Sequence, residues 1–327
     1  MTLGLKRHSS RLPALALSAA LALGVASPVF AQDTPESTPA AGGSSEVAAE
    51  LPPADLPTMN QQGFVFELES TFSGALDRVP KEAPVYAMTY PTLDADQAKE
   101  IVAKLGVEGD IEDQGGGTYS ASGEGGDVFI TPGLTQFISS QEIPEGDLPA
   151  DDEAIAFARE WLRQVGMLPA NVGDGKVVTR VENPARIIVT FKPVQPAPIL
   201  SADPNITVTL GPQGSILESS IRWAQLAEGD MYQLRGGEAA WAEVQGQRSY
   251  LEVSLPGDLF DPGSTVTGTA AYDSVSIAYT SSGIPGQTQY LQPVYVFTGK
   301  ITPEGADKAY PITSYVPALV NSNQPVG

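Results

Sequence analysis

Of the 327 residues none is cysteine, and the one histidine, His8, stands in the N-terminal stretch. Without thiols the chain forms no disulfide and offers no sulfur ligand. With His8 set aside, no imidazole remains to act as a general base. Ser-His-Asp and Cys-His nucleophilic catalysis, zinc sites built on His or Cys, and haem ligation are therefore excluded for a chain that begins beyond residue 31. Cations are scarce as well: 18 Lys and Arg face 39 Asp and Glu, for a formal charge of −21. Loss of Lys6, Arg7 and Arg11 with the N-terminal stretch removes three cations and takes the charge from −21 to −24. A field of that sign repels nucleic acid and anionic lipid, and it steers basic surfaces toward the protein. The expected partner is a protein or peptide, a basic one being favoured, and no nucleic acid.

Lys6, Arg7 and Arg11 precede an apolar run from Leu12 to Val25, and Val29-Phe30-Ala31 then offers small residues at the minus-three and minus-one positions of a cleavage site. This three-part order is that of a secretory signal peptide over residues 1–31. A retained membrane anchor is the alternative, since the apolar stretch approaches the roughly 20 residues of a span. Abundant Ala and Pro28 just before the site favour cleavage. No cysteine follows, so no lipid anchor is expected. The expected location is thus the periplasm, the cell envelope or the medium, with no membrane span after cleavage. Residues 32–61 are Ala, Pro, Ser, Thr, Glu and Asp with little to bury, the composition of a disordered acidic linker.

The remainder suffices for one large domain or two ordinary ones. Phe64, Phe66 and Leu68 alternate with Val65 and Glu67, and Val85, Ala87 and Thr89 alternate with Tyr86, Met88 and Tyr90, so both segments read as strands. Asp94 stands three residues before Gln97, a capping box for a helix with Ala98, Ile101, Val102 and Leu105 on one face and Gly106 as its stop. Asp151 and Asp152 lead into a second helix carrying Ala158, Trp161, Leu162 and Val165, closed by Gly166. The two stripes share one register counted back from the glycine. A hairpin is expected from Thr118 to Thr131. Strands are expected at Val177–Val181, Ile187–Phe191 and Ile206–Leu210, with Gly211-Pro212-Gln213-Gly214 as a type I turn into Ser215–Trp223. A shorter helix over Glu238–Gln245, followed by Val275–Tyr279 and Leu291–Phe297, begins a third unit. Together these predict an α+β fold of repeated helix plus antiparallel-strand units, with helices packed on one face of curved antiparallel sheets. The domains are expected at 62–145 and 146–321, the second holding one or two such units, with a tail at 322–327.

At Asp152–Val165, and in the hairpin from Ile206 through Gly211-Pro212-Gln213-Gly214 to Ile216, the chain resembles the PepSY class of extracytoplasmic modules. In that class an acidic-capped helix packs on a sheet whose central hairpin turns at a glycine. Val275–Tyr279 with Tyr290-Leu291-Gln292-Pro293-Val294-Tyr295-Val296-Phe297 resembles the end of the YycH and YycI accessory proteins, which regulate a sensor kinase from outside the membrane. Those proteins keep an N-terminal membrane helix, whereas this chain is expected to lose its signal. The resemblance implies a regulatory binding module that is not an enzyme.

Carboxylates are the acid–base groups present in quantity. A glycosidase needs a pair of them beside a sugar cleft. Asp110, Glu112 and Asp113 beside a glycine run, and Asp151, Asp152 and Glu153 at a helix start, are the candidates for such a hydrolase of envelope glycans; capping accounts for at least one of the second set. A passive envelope or matrix protein is the third reading. No Asp-x-Asp-x-Asp-Gly loop is present for calcium, and Asp94 with Asp96, or Asn171 with Asp174, reads as a solvated turn, so no metal or cofactor is expected. Trp161, Trp223, Trp241, Tyr279, Tyr290 and Tyr295 are the large side chains best placed for recognition, with Tyr279, Tyr290 and Tyr295 as the candidate binding residues. Trp161 falls on an apolar stripe and is expected in the core. Tyr290–Phe297 is apolar on both alternating sets, so it is either buried on both faces or a contact surface, and Pro293 points to an edge strand.

Overall fold

Alternation of apolar and polar residues becomes strand in much of the described chain. The computed structural model describes residues 51–56, 63–196, 198–256, 259–261, 263–283 and 288–319. The expected signal peptide at 1–31, the linker as far as residue 50 and the tail at 322–327 lie outside the described residues. In chain order the elements are β1 (Val65–Phe72), β2 (Glu82–Thr89), α1 (Ala95–Lys104), β3 (Ile111–Gly115), β4 (Thr118–Gly123), β5 (Gly126–Thr131), β6 (Leu134–Ser139) and α2 (Asp151–Gln164). There follow β7 (Lys176–Glu182), β8 (Ala185–Phe191), β9 (Asn205–Leu210), β10 (Ile216–Arg222), β11 (Gln225–Gln233), α3 (Gly237–Gln245), β12 (Tyr250–Val253), β13 (Thr265–Ser282), β14 (Gln289–Pro303) and β15 (Tyr310–Pro317). No helix among the described residues is long and apolar enough to cross a membrane.

Fifteen strands against three α-helices among the described residues make the protein mostly β, which overturns the expected α+β fold of repeated helix-plus-strand units. The reason lies in pairing, which local periodicity does not encode. β3 to β10 join one antiparallel eight-stranded sheet in the order β3-β4-β5-β6-β10-β9-β8-β7, so hydrogen bonds between β6 and β10 run across residues 145 and 146 of the chain. The other sheet draws on both ends of the sequence. β1 lies parallel to β13, Val65 opposite Thr265, and β14 runs between β13 and β15, with β12 beyond. β2 pairs with β11 and with the start of β14.

Helix α1 has both arms of its capping box, Gln97 N–H to Asp94 Oδ1 at 2.8 Å and Asp94 N–H to Gln97 Oε1 at 3.0 Å. Helix α2 begins one residue earlier than its acids suggested. Its cap is Ala150, whose N–H donates to Glu153 Oε2 at 3.0 Å, and Asp151 pairs with Arg180 instead. Both helices lie on one face of the eight-stranded sheet, because their buried partners Ala121, Val128, Phe137, Val208 and Val189 fall in one cross-strand row. Trp161 joins the two halves of that core and stacks on Phe137 at 6.0 Å. In the other sheet Trp241 of α3 packs among Phe72, Tyr272 and Phe297.

Three local expectations need correction. Gln213 takes φ +56°, so the 211–214 turn is not type I; its side-chain amide donates to Glu145 O and its N–H to Asp147 O, which hold that conformation. Residues 51–56 are not a solvated tether: Leu51 is buried, and the segment hydrogen-bonds to β13 and β14. Pro293 does not mark an edge strand. It faces Tyr279, whose own N–H and C=O turn away from β14 toward Pro198 and Leu200, so Pro293 meets β13 without needing a donor there. On the opposite side it occupies the gap between the β2 pairing, which ends at Leu291, and the β15 pairing, which starts at Val294.

Buried phenols tie this core to pH. Tyr272 is 1% exposed with its hydroxyl 2.6 Å from Ser314 Oγ, and Tyr279 is 8% exposed. Burial pushes each phenol from 10.0 up to about 12, opposed in Tyr272 by the Ser314 bond and reinforced in Tyr279 by Tyr86 and Glu228. The fold thus favours the neutral ring. The stability this brings is complete below the unfolded value near 10.0 and is lost as pH rises through about 12. Each ring is expected to contribute about 2–3 kcal/mol to that loss. Equilibrium unfolding across this range should show a steep decline that Tyr279→Phe flattens; a flat profile would show that these phenols ionise without unfolding.

Candidate functional site

The chain passes from one sheet to the other after β2 and returns between β10 and β11, and a groove of about 620 Å³ opens beside both crossings. Its walls are the end of β2 from Met88 to Tyr90, the β5–β6 turn from Thr131 to Leu134, the β10 terminus at Arg222, Asp203 ahead of β9, and Thr288 and Gln289 at the start of β14. The volume falls in the range of small-ligand and peptide pockets, and junctions between structural units are where such pockets concentrate.

The β5–β6 turn is shaped around one side chain. Gly133 takes φ +76° and lies against the Tyr90 ring so closely that a Cβ would come within 2.1 Å of Tyr90 Cδ1. Its N–H donates to Pro91 O at 3.1 Å, fixing the turn to the strand that carries Tyr90. The Tyr90 hydroxyl is buried and has no hydrogen-bond partner among the described residues. Buried tyrosine hydroxyls ordinarily find one. Burial first, then the charge of Asp203, pushes this phenol up to about 12, with Arg222 opposing. It is therefore a neutral donor at physiological pH.

Beside it, Arg222 Nη1 donates to Asp203 Oδ2 at 3.1 Å, with 47% of the arginine side chain and 26% of the aspartate side chain exposed. One such bond leaves most guanidinium donors and a carboxylate oxygen free for a ligand. The 199–203 loop is clasped by Lys192, whose Nζ donates to Ile199 O at 2.7 Å and Ser201 O at 2.9 Å. Burial pulls that amine below its ordinary value, opposed by Asp203. Ser201 Oγ donates to Asp203 O at 2.6 Å and completes the support. Met88, Pro132 and Leu134 supply apolar wall, and Thr89, Thr92, Thr131, Thr288 and Gln289 add hydroxyls and an amide. Such a surface suits a chain with alternating polar and apolar groups.

The sequence-selected tyrosines lie elsewhere in the sheet. Tyr295 is fully buried with its hydroxyl 3.5 Å from Pro80 O; Tyr279 is buried against Tyr86 with ring centroids 5.5 Å apart; Tyr290 is half-buried opposite Ala87. The carboxylate candidates are dispersed too. Asp113 accepts from Gly115 N–H, Asp151 pairs with Arg180, Glu153 caps α2, and none of Asp110, Glu112 or Asp152 lines the groove. Tyr90, Asp203 and Arg222 were not singled out by sequence. The one available signal was the Thr131-Pro132-Gly133-Leu134 turn, which locates the hairpin but not the ring it clasps.

No protein-family model matches the chain, and no curated protein matches it. Among solved structures it is similar to an uncharacterized protein from Eubacterium rectale ATCC 33656, at 9% identity and a TM-score of 0.43, over 82% of this chain and 92% of that one. It is similar also to the Bacillus megaterium YpeB C-terminal domain, at 11% identity and a TM-score of 0.36, over 72% of this chain and 97% of that one. Likeness at this level defines no common fold and assigns no activity.

Proposed function

We propose that the protein is an exported, non-enzymatic module of the bacterial cell envelope that binds a protein or peptide partner in the groove between its two sheets. The observation that carries this reading is the unpartnered Tyr90 hydroxyl beside the half-open Arg222–Asp203 pair. Donors and acceptors of that kind match the amides and carbonyls of a peptide, and the apolar walls accept its side chains. Asp203 is the only carboxylate among the described residues of the lining, whereas carboxylate-pair hydrolysis needs two facing one another. The signal-like N-terminus supports export, and the high negative charge supports a basic partner.

Tyr90→Phe tests the reading, because it deletes the hydroxyl and keeps the ring. An unsatisfied buried hydroxyl costs stability, so the free variant should be as stable as the parent or more so by about 1 kcal/mol. Affinity for the envelope partner should fall about tenfold, the worth of one hydrogen bond to the ligand. Arg222→Gln should reduce affinity by at least as much. Raising salt from about 0.05 to about 0.5 M, which shortens the Debye length from roughly 14 to 4 Å, should slow association with a basic partner. Unchanged affinity in both variants would remove the groove from consideration.

A further inference from the structure

Beyond the bulge between Tyr272 and Ser274, where pairing with β1 ends, β13 keeps β14 on one side and, among the described residues, has no strand on the other. An open edge presents a row of N–H and C=O groups that will pair with an extended chain. Two short segments of the chain itself take these groups. Tyr279 N–H donates to Pro198 O at 2.9 Å, and Leu200 N–H donates to Tyr279 O at 2.8 Å. Farther along, Asp55 N–H donates to Ser281 O at 2.8 Å, and Ala54 bridges to Ser282.

The second contact is prepared by side chains inside the sheet. Thr280, Ser282 and Gln292 are buried polar residues. Gln292 Nε2 donates to Pro52 O at 2.6 Å and to Ser282 Oγ at 2.6 Å, and Thr280 Oγ1 donates to Asp55 O. Left bare, each buried donor would destabilise the sheet. Leu51 enters the larger core at 4% exposure, while Ala54 and Leu56 pack on Ala278, Val294, Val296 and Tyr315. Residues 51–56 contribute no helix or named strand of their own. What holds them is two main-chain carbonyls, one amide and apolar ends, the contacts by which a sheet edge recognises a peptide.

We propose that the open half of β13 is a strand-accepting site for extended peptide, filled in cis by residues 51–56 and exchangeable for a partner segment of the same chemistry. That chemistry is a leucine at each end, a small residue between them, and free carbonyls at the second and fifth positions. Gln292 and Thr280 touch the segment only at its main-chain carbonyls, so extended shape and end leucines decide the fit, and charge does not. Pro52-Pro53 keeps the segment extended and reduces what ordering it costs.

The test uses the full chain and a fluorescent peptide with the sequence of residues 51–56. In the parent protein the tethered copy acts at an effective concentration on the order of millimolar and should outcompete the probe. Leu51→Ser with Leu56→Ser weakens the tethered copy, and probe affinity should rise by at least about tenfold. Adding Gln292→Ala should reverse most of that gain. Arg222→Gln should leave probe binding unchanged, which separates failure here from failure of the groove reading. A folded double variant that binds the probe no better than the parent overturns the proposal. If the double variant does not fold, hydrogen exchange at Asp55 in the parent decides: exchange well ahead of global unfolding supports an exchangeable strap, and exchange only through global unfolding overturns it.

Discussion

Leu162→Ala is expected to lower the unfolding free energy by about 2–5 kcal/mol. Leu162 is wholly buried on α2, between Ala158 one turn before it and the sheet residues Ile187, Val189 and Ile206, each also wholly buried. The small Ala154 and Ala158 bring the helix close to the strands, so a truncated leucine leaves a cavity that neither side can close. Glu160→Ala on the opposite face removes only exposed contacts to Arg163 and Gln164 and should change stability by less than about 1 kcal/mol. Denaturant midpoints of the two variants check the register of α2. Equal midpoints would place the wrong face against the sheet.

Phe297→Ala should be at least as severe, at about 3–5 kcal/mol. The ring is wholly buried on the central strand β14, 5.8 Å from Phe72 on β1 and 5.7 Å from Trp241 on α3. It therefore joins three elements that are far apart in sequence. Val65→Ala, at a position 55% exposed on β1, should be near neutral by comparison. Loss of cooperativity in the Phe297 variant would report β1 and α3 detaching together; a loss below about 1 kcal/mol would show that this cluster does not organise the sheet.

Elements with strong local signals were legible in the sequence. The capping box of α1, the glycine stops at Gly106 and Gly166, and the strict alternation of Ile187, Val189 and Phe191 or Ile206, Val208 and Leu210 all fall where spacing puts them. Partnership was not legible. β11 has one buried residue, Tyr232, and exists as a strand because β2 supplies its ladder; β1 and β13 find each other from opposite ends of the chain. The α+β expectation failed for that reason, since helices announce themselves by period and caps while a sheet's ladders join segments that lie far apart in the chain. The groove was hidden for the same cause. Tyr90, Asp203 and Arg222 come from three separate segments, and nothing in the spacing of a lone tyrosine, a loop aspartate and a strand-end arginine brings them together.

The absence of native cysteine makes a direct test of the groove available, because an introduced thiol is the only one present. Thr288→Cys puts a photo-crosslinker at the exposed rim of the groove, and Ser122→Cys puts the same reagent on an exposed site of the eight-stranded sheet. Irradiation of intact cells that make the protein should give one stoichiometric adduct from position 288 and none from 122, and the adduct should be lost when Tyr90→Phe and Arg222→Gln are added. An adduct that forms from 122 alone, or one from 288 that survives both substitutions, would contradict recognition in the groove.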